Sequence, residues 1–284
     1  MGIKPKLKKA SRFILSNLGR PVRVEQTLRG ESELLVGRCV VVTGAASGIG
    51  YATAAACLRS GAHVIVTSRN MNRAEDACAR LGGGQPAILD LSDAESMPSQ
   101  IKELYSIVSM QVDALVNNAG VLKGSAFGKT SVADFDEIMG TNLRGTYFLT
   151  QEIARRMVKG GVKGNICFVT SSSAYRPATN AYSCTKWALR GLTEGTAKML
   201  APHDIVVNAV APGPTATSML LEGDEDNVML PKSPIGRYVT PEEIAEMVVM
   251  LLSDASRSVI GDTVRMTGGS GVVTFDDADA TFEL

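Results

Sequence analysis

From Leu35 to Met266, short apolar runs rich in β-branched residues alternate with stretches whose apolar positions recur at helical spacing. Cys39-Val-Val-Val-Thr43 is predicted as a first strand, Tyr51 to Ser60 as the helix after it, and His63-Val-Ile-Val-Thr67 as a second strand. A helix over Asn72 to Leu81 is ended by the glycines at 82 to 84, and a short strand follows at Pro86 to Leu89. Next come a helix near Met97 to Met110, a strand at Val112 to Val116, a long helical stretch from Val132 to Lys159, and a strand at Asn165 to Thr170. A helix starting near Asn180, a strand at Ile205 to Ala209, a helix at Pro241 to Ser253 and a strand at Thr263 to Met266 complete the pattern. Strands that alternate with helices in this way predict an α/β fold: a doubly wound parallel sheet of about seven strands in three layers.

Composition narrows the function without naming it. The 284 residues are 45% hydrophobic and 20% charged, enough to bury a full core. Formal charge is zero, so the overall balance suggests no nucleic-acid partner. Two histidines, His63 and His203, and five scattered cysteines offer no paired metal spacing, and no metal is expected. No apolar run approaches the roughly 20 residues that span a bilayer. The first residues carry Lys4, Lys6, Lys8, Lys9 and Arg12 but no secretory apolar run, and a cytoplasmic protein is expected. Lys6 to Leu18 fits either a basic amphipathic helix touching anionic lipid or a partner protein, or a solvated arm. Three segments are therefore expected: a basic extension over 1–34, a catalytic domain over 35–272, and an acidic tail over 273–284.

Two patterns carry chemistry. Asn180-Ala-Tyr-Ser-Cys-Thr-Lys186 puts a phenol and an ammonium four residues apart, on one face of a helix. A lysine held beside Tyr182 favours the phenolate and suits the phenol to general acid/base work. Thr43-Gly-Ala-Ala-Ser-Gly-Ile-Gly50 lies where the first strand meets the first helix. Glycines there allow a tight turn, and the helix start offers unpaired N–H groups to a pyrophosphate.

The spacing Gly-x-x-x-Gly-x-Gly in this turn resembles the short-chain dehydrogenase/reductase family, and further motifs extend the likeness over about residues 35 to 270. Asn117-Asn-Ala-Gly120, Asp90-Leu91, Asn142, and Pro212-Gly-Pro-Thr-Ala-Thr217 with Met219 stand in the family's order. The resemblance implies a Rossmann fold and a nicotinamide cofactor held by Gly44, Ser47, Gly48, Ile49, Gly50, Asp90, Leu91, Asn118, Ala119, Gly120, Pro212, Gly213, Thr215 and Thr217. Tyr182 and Lys186 belong to both the catalytic and the cofactor sets. It implies that Tyr182 exchanges the proton and Lys186 lowers its pKa and holds the nicotinamide ribose. The resemblance further implies that Asn142 binds a water linking Lys186 to solvent. Ser171 is the expected partner of the substrate oxygen. It stands eleven positions before Tyr182, a loop two residues shorter than the family's, which leaves Ser172, and after it Ser173, as alternatives and is expected to widen one wall of the pocket.

Arg69, at the end of the second strand, favours NADP(H) over NAD(H). An acidic residue there would bind the ribose 2′-hydroxyl, whereas a guanidinium pairs with a 2′-phosphate; the alternative is a solvated surface charge. The expected activity is hydride transfer between the nicotinamide and a carbonyl or secondary alcohol. Steroid, acyl thioester, sugar and small ketone substrates all stay open. Thr215 to Tyr238 is expected to cover a largely apolar pocket as a lid, with Met219, Leu220, Leu221, Met229 and Leu230 among Glu222, Asp224, Glu225 and Asp226. Alternatives are a non-catalytic NADP(H)-binding regulator and a sugar-nucleotide-modifying relative. Family resemblance also implies a homotetramer or homodimer packed through the helices starting near Val132 and Asn180.

Overall fold

The computed structural model describes residues 30–123, 127–217 and 228–271. The acidic tail and most of the basic extension therefore lie outside the described residues. Seven strands form one sheet in the order β3-β2-β1-β4-β5-β6-β7: β1 Cys39–Val42, β2 His63–Ser68, β3 Gln85–Ile88, β4 Ala114–Asn117, β5 Asn165–Val169, β6 Val206–Pro212 and β7 Thr263–Met266. Every neighbouring pair is parallel. The connecting helices are α1 Gly48–Arg59, α2 Met71–Leu81, α3 Met97–Ile107, α4 Val132–Met139, α5 Thr146–Gly160, α6 Ala181–Leu200 and α7 Pro241–Leu252.

Alternation along the strands builds two cores. On β1, Val40 and Val42 face one side, with Ala56 and Cys57 of α1 and Ile244 and Val248 of α7. Cys39 and Val41 face the other, with Ile101 of α3, Ile153 and Met157 of α5 and Leu189 of α6. Because both faces of the strands are buried, the central ones read as continuous apolar runs. Each side removes a large apolar area from water, at roughly 25 cal/mol per Å².

One predicted helix is two. Between α4 and α5 the chain makes a π-helical turn over Gly140–Gly145 instead of continuing as α-helix. Gly145 explains the local geometry: a Cβ there would lie 2.0 Å from the Leu91 carbonyl oxygen. Close packing of this turn against the segment after β3 thus depends on a missing side chain. π-Turns of this kind recur at functional sites, and this one carries Asn142.

Strand order reverses direction at β1 and β4, so their carboxyl ends part and leave a crevice. Open α/β sheets bind ligands at this switch point. The loops after β1, β2, β4, β5 and β6 all open into it.

Candidate active site

A cleft of about 750 Å³ runs along the carboxyl ends of the strands. Its floor is the β1–α1 turn, in which Gly44 and Gly48 adopt φ of 64° and 56°, backbone that favours glycine. Gly50 is buried beneath the turn, where a Cβ would lie 2.4 Å from both Asn118 Nδ2 and the Gly44 carbonyl oxygen. Ser47 is the N-cap of α1 but makes no side-chain cap hydrogen bond, which leaves the helix's first N–H groups open to the cleft among the described residues. A compact anion such as a pyrophosphate fits this cradle.

Hydrogen bonds tie the turn to the end of β4. Thr43 Oγ1 accepts from the backbone N–H groups of Asn118 and Ala119, both at 2.9 Å. Asn118 Nδ2 donates to the Thr43 carbonyl at 2.9 Å. The asparagine side chain therefore holds the turn's backbone, which explains its need at this position.

At one end of the cleft stand Arg69, Asp90 and Leu91. Asp90 is fixed by Ser92, whose N–H and hydroxyl donate to its Oδ1 at 2.9 and 2.7 Å. Arg73, which the sequence reading missed, joins Arg69 on the same wall. Its position four residues after Arg69, in the first turn of α2, was the available signal. Among the described residues neither guanidinium has a carboxylate partner.

At the other end Ser171, Tyr182 and Lys186 line the cleft together. Ser171 ends the extension of β5 and caps a short 3₁₀ turn, its Oγ accepting from the Ser173 N–H at 3.1 Å. The Ser171 hydroxyl acts on the Tyr182 phenol, favouring its ionised form. Asn180 caps α6 by accepting from the Ser183 N–H at 2.8 Å, which fixes the helix turn that carries Tyr182. Lys186, one turn further on, is 5% exposed and donates to the Val169 carbonyl at 2.9 Å.

The electrostatics differ from the expected lysine-depressed phenol. Burial raises the Tyr182 pKa above its ordinary value, opposed by the Ser171 hydroxyl. Burial also lowers the Lys186 pKa to about 8. The physical reason is direction: the ammonium lies 5.4 Å from the phenol ring centroid and gives its hydrogen bond to Val169, so desolvation of the tyrosine prevails.

Asn142, 1% exposed, does not line the cleft. Its Oδ1 accepts from the Val121 N–H at 2.7 Å and its Nδ2 donates to the Val121 carbonyl at 2.9 Å. The amide thereby holds the wall that begins at Gly120, where a Cβ would come within 3.2 Å of Asn142 Oδ1. Ala119 and Gly120 line the cleft in front of it, and Pro212, Gly213, Thr215 and Thr217 form the opposite rim with Ile49. That rim is fastened by a parallel bridge between Thr215 and Val239. Of the expected lid, residues 218–227, including Met219, Leu220, Leu221, Glu222, Asp224, Glu225 and Asp226, lie outside the described residues. Leu230 and Tyr238 line the cleft, whereas Met229 is 68% exposed. The described wall near Tyr182 is more polar than expected, with Ser172, Ser173, Arg176 and Asn180 on it.

The family model described as enoyl-(acyl carrier protein) reductase matches residues 44–270. The chain is 35% identical over 244 residues to 3-oxoacyl-[acyl-carrier-protein] reductase of Aquifex aeolicus, covering 83% of this chain and 98% of that one. The chain belongs to the short-chain dehydrogenase/reductase family. Another family relative, human L-xylulose reductase, is 35% identical over 241 residues, with 83% and 97% coverage. The crystal structure of a gluconate 5-dehydrogenase from Burkholderia cenocepacia in complex with NADP and tartrate superposes with TM-score 0.76 at 28% identity, covering 84% of this chain and 97% of that one. As a family member the protein is an NAD(P)-dependent oxidoreductase acting on a CH–OH or C=O group, and its Rossmann sheet matches those of its solved relatives. Among the described residues no cluster of His, Cys, Asp or Glu could hold a metal, and no helix is long and apolar enough to cross a membrane.

Proposed function

We propose that the protein interconverts a carbonyl and its secondary alcohol with NADP(H), using Tyr182 as general acid/base. The observation that carries this reading is the meeting of Ser171, Tyr182 and Lys186 at one end of the cleft whose floor is the pyrophosphate turn. The cofactor, when bound, supplies or accepts the hydride. In the reducing direction Ser171 holds the carbonyl oxygen by a hydrogen bond, and Tyr182 gives that oxygen its proton. Lys186, protonated at neutral pH, stabilises the phenolate left behind. Asn142 acts from behind the wall, by fixing the Val121 backbone; by resemblance it also orders a water toward Lys186.

Arg69 and Arg73 support NADP(H) over NAD(H), since two guanidiniums without carboxylate partners suit a 2′-phosphate. Among solved relatives three are described with NADP and one with NADH, so the choice rests on this chain's own arginines. Exposed Val132 and Phe135 on α4, Tyr147 on α5 and Trp187 on α6 support self-association through these helices. Unpaired cysteines, with Cys39, Cys57 and Cys167 raised to about 12 by burial, suit a reducing compartment such as the cytoplasm. The test follows absorbance of NADPH and NADH over a panel of carbonyls and of NADP⁺ over alcohols. NADPH-dependent turnover that disappears in Tyr182→Phe is expected; tight NADPH binding with no turnover on any compound would favour a regulator.

A further inference from the structure

We propose that Arg176 recognises an anionic oxygen group on the substrate, a carboxylate or phosphate, so that the natural substrate is an acidic carbonyl compound or its alcohol. This rests on the hydride-transfer reading of the same cleft. Arg176 lies in the shortened loop between Ser171 and Tyr182 and lines the cleft at the end where these two meet.

The loop is held firmly. Trp187 Nε1, on α6, donates to the Arg176 carbonyl at 2.7 Å. The preceding residue, Tyr175, has the Arg190 guanidinium 4.5 Å from its ring centroid and that of Arg265 at 5.3 Å. Pro177 follows and fixes the exit of the chain. The guanidinium itself packs against Gly271, where a Cβ would stand 2.8 Å from Nη2, so glycine leaves the room it occupies. Arg176 is exposed, with its backbone carbonyl held by Trp187 and its guanidinium set against Gly271.

Among the described residues no carboxylate pairs with Arg176. Among the described residues the acidic side chain lining the cleft is Asp90, at the opposite end and bound to Ser92. Around Tyr182 the described wall therefore carries two positive groups, Arg176 and Lys186, with neutral hydroxyls and an amide between them. A planar guanidinium offers paired N–H groups to two oxygens of a carboxylate or phosphate. A neutral steroid or alkyl ketone leaves that charge without a partner among the described residues.

The experiment compares kcat/KM with NADPH for matched pairs that differ in charge: acetoacetate against acetoacetamide, and dihydroxyacetone phosphate against dihydroxyacetone. Wild type is expected to favour one acidic member over its neutral partner at least tenfold, and the pair that does so tells carboxylate from phosphate. Arg176→Gln should bring that ratio down about tenfold to hundredfold, with Arg176→Lys in between. A wild-type ratio of one or below in both pairs, or a ratio unchanged in Arg176→Gln, overturns the proposal. NADPH binding, followed by its fluorescence, confirms that each variant is folded. If no carbonyl is reduced, the hydride-transfer reading fails, and titration of acetoacetate and of inorganic phosphate into the enzyme–NADPH complex decides the arginine's role. Binding of either anion that weakens at least tenfold in Arg176→Gln supports the role, and equal titrations overturn it.

Discussion

Lys186 lies on α6 but gives its hydrogen bond to the carbonyl of Val169, the last residue of β5, at 2.9 Å. The helix that carries Tyr182 is thereby tied to the strand that leads into Ser171, and a buried ammonium is left with one neutral partner. Burial moves its pKa from 10.5 to about 8. The folded state therefore binds the proton less tightly than the unfolded chain. This penalty is present in full below pH 8 and disappears as pH rises from about 8 to 10.5. The shift corresponds to roughly 3 kcal/mol, partly offset by about 1–2 kcal/mol for the bond to Val169 that a replacement gives up. Lys186→Met is expected to raise the melting temperature of the cofactor-free protein by a few degrees at pH 7 and to lower it slightly near pH 10.5, where the penalty is gone and the lost hydrogen bond to Val169 remains, while turnover is lost. Thermal melts at both pH values check this, and equal melting at pH 7 would refute the desolvation argument.

The same pKa sets a limb of the rate profile. kcat/KM for NADPH in carbonyl reduction reports groups of the free enzyme. It is expected to fall as pH rises through about 8, where the Lys186 ammonium loses its proton. A flat profile from pH 7 to 9 would separate the lysine charge from catalysis.

Ser171 and Tyr182 meet at one end of the cleft, and each has its own expected loss. Tyr182→Phe removes the proton donor and should lower kcat by about 10²–10⁴-fold. Ser171→Ala removes one donor to the carbonyl oxygen and should lower kcat by roughly 10²-fold. NADPH affinity should change little in either, as measured by fluorescence titration. Full retention of kcat in Ser171→Ala, with loss in Ser172→Ala, would move the role to the neighbouring serine.

Arg69→Asp should raise KM for NADPH about tenfold or more and improve use of NADH, because a carboxylate repels the 2′-phosphate and accepts from a 2′-hydroxyl. Arg73→Gln should weaken NADPH alone, to a smaller extent. Steady-state kinetics with both cofactors reads the two effects, and an unchanged preference in both variants would leave the arginines as surface charges.

Gly50→Ala would put a Cβ 2.4 Å from Asn118 Nδ2 and from the Gly44 carbonyl oxygen. Backbone cannot yield as a flexible side chain does, so a cost of about 1–3 kcal/mol is expected, together with weaker NADPH binding. Denaturant unfolding and NADPH titration measure the two losses. An unaltered pair of values would show that the turn relaxes freely.

The amino-acid sequence by itself determined the fold. Valine-rich runs such as Cys39–Val42, alternating with helical patterns, admit few arrangements other than a parallel sheet covered on both faces. Local chemistry was equally legible where neighbours in sequence act together: the glycines of the β1–α1 turn, and Tyr182 with Lys186 one helical turn later. Only the tertiary structure decided what depends on groups distant in the chain. Val132 to Lys159 reads as one helix, yet Gly145 meets the Leu91 carbonyl and the π-turn there sends Asn142 behind the wall to Val121. Lys186 looks in sequence like a charge for the phenol, but β5 receives its hydrogen bond and burial sets both pKa values. Desolvation and close approach are properties of a packed environment, and no spacing along the chain encodes them directly.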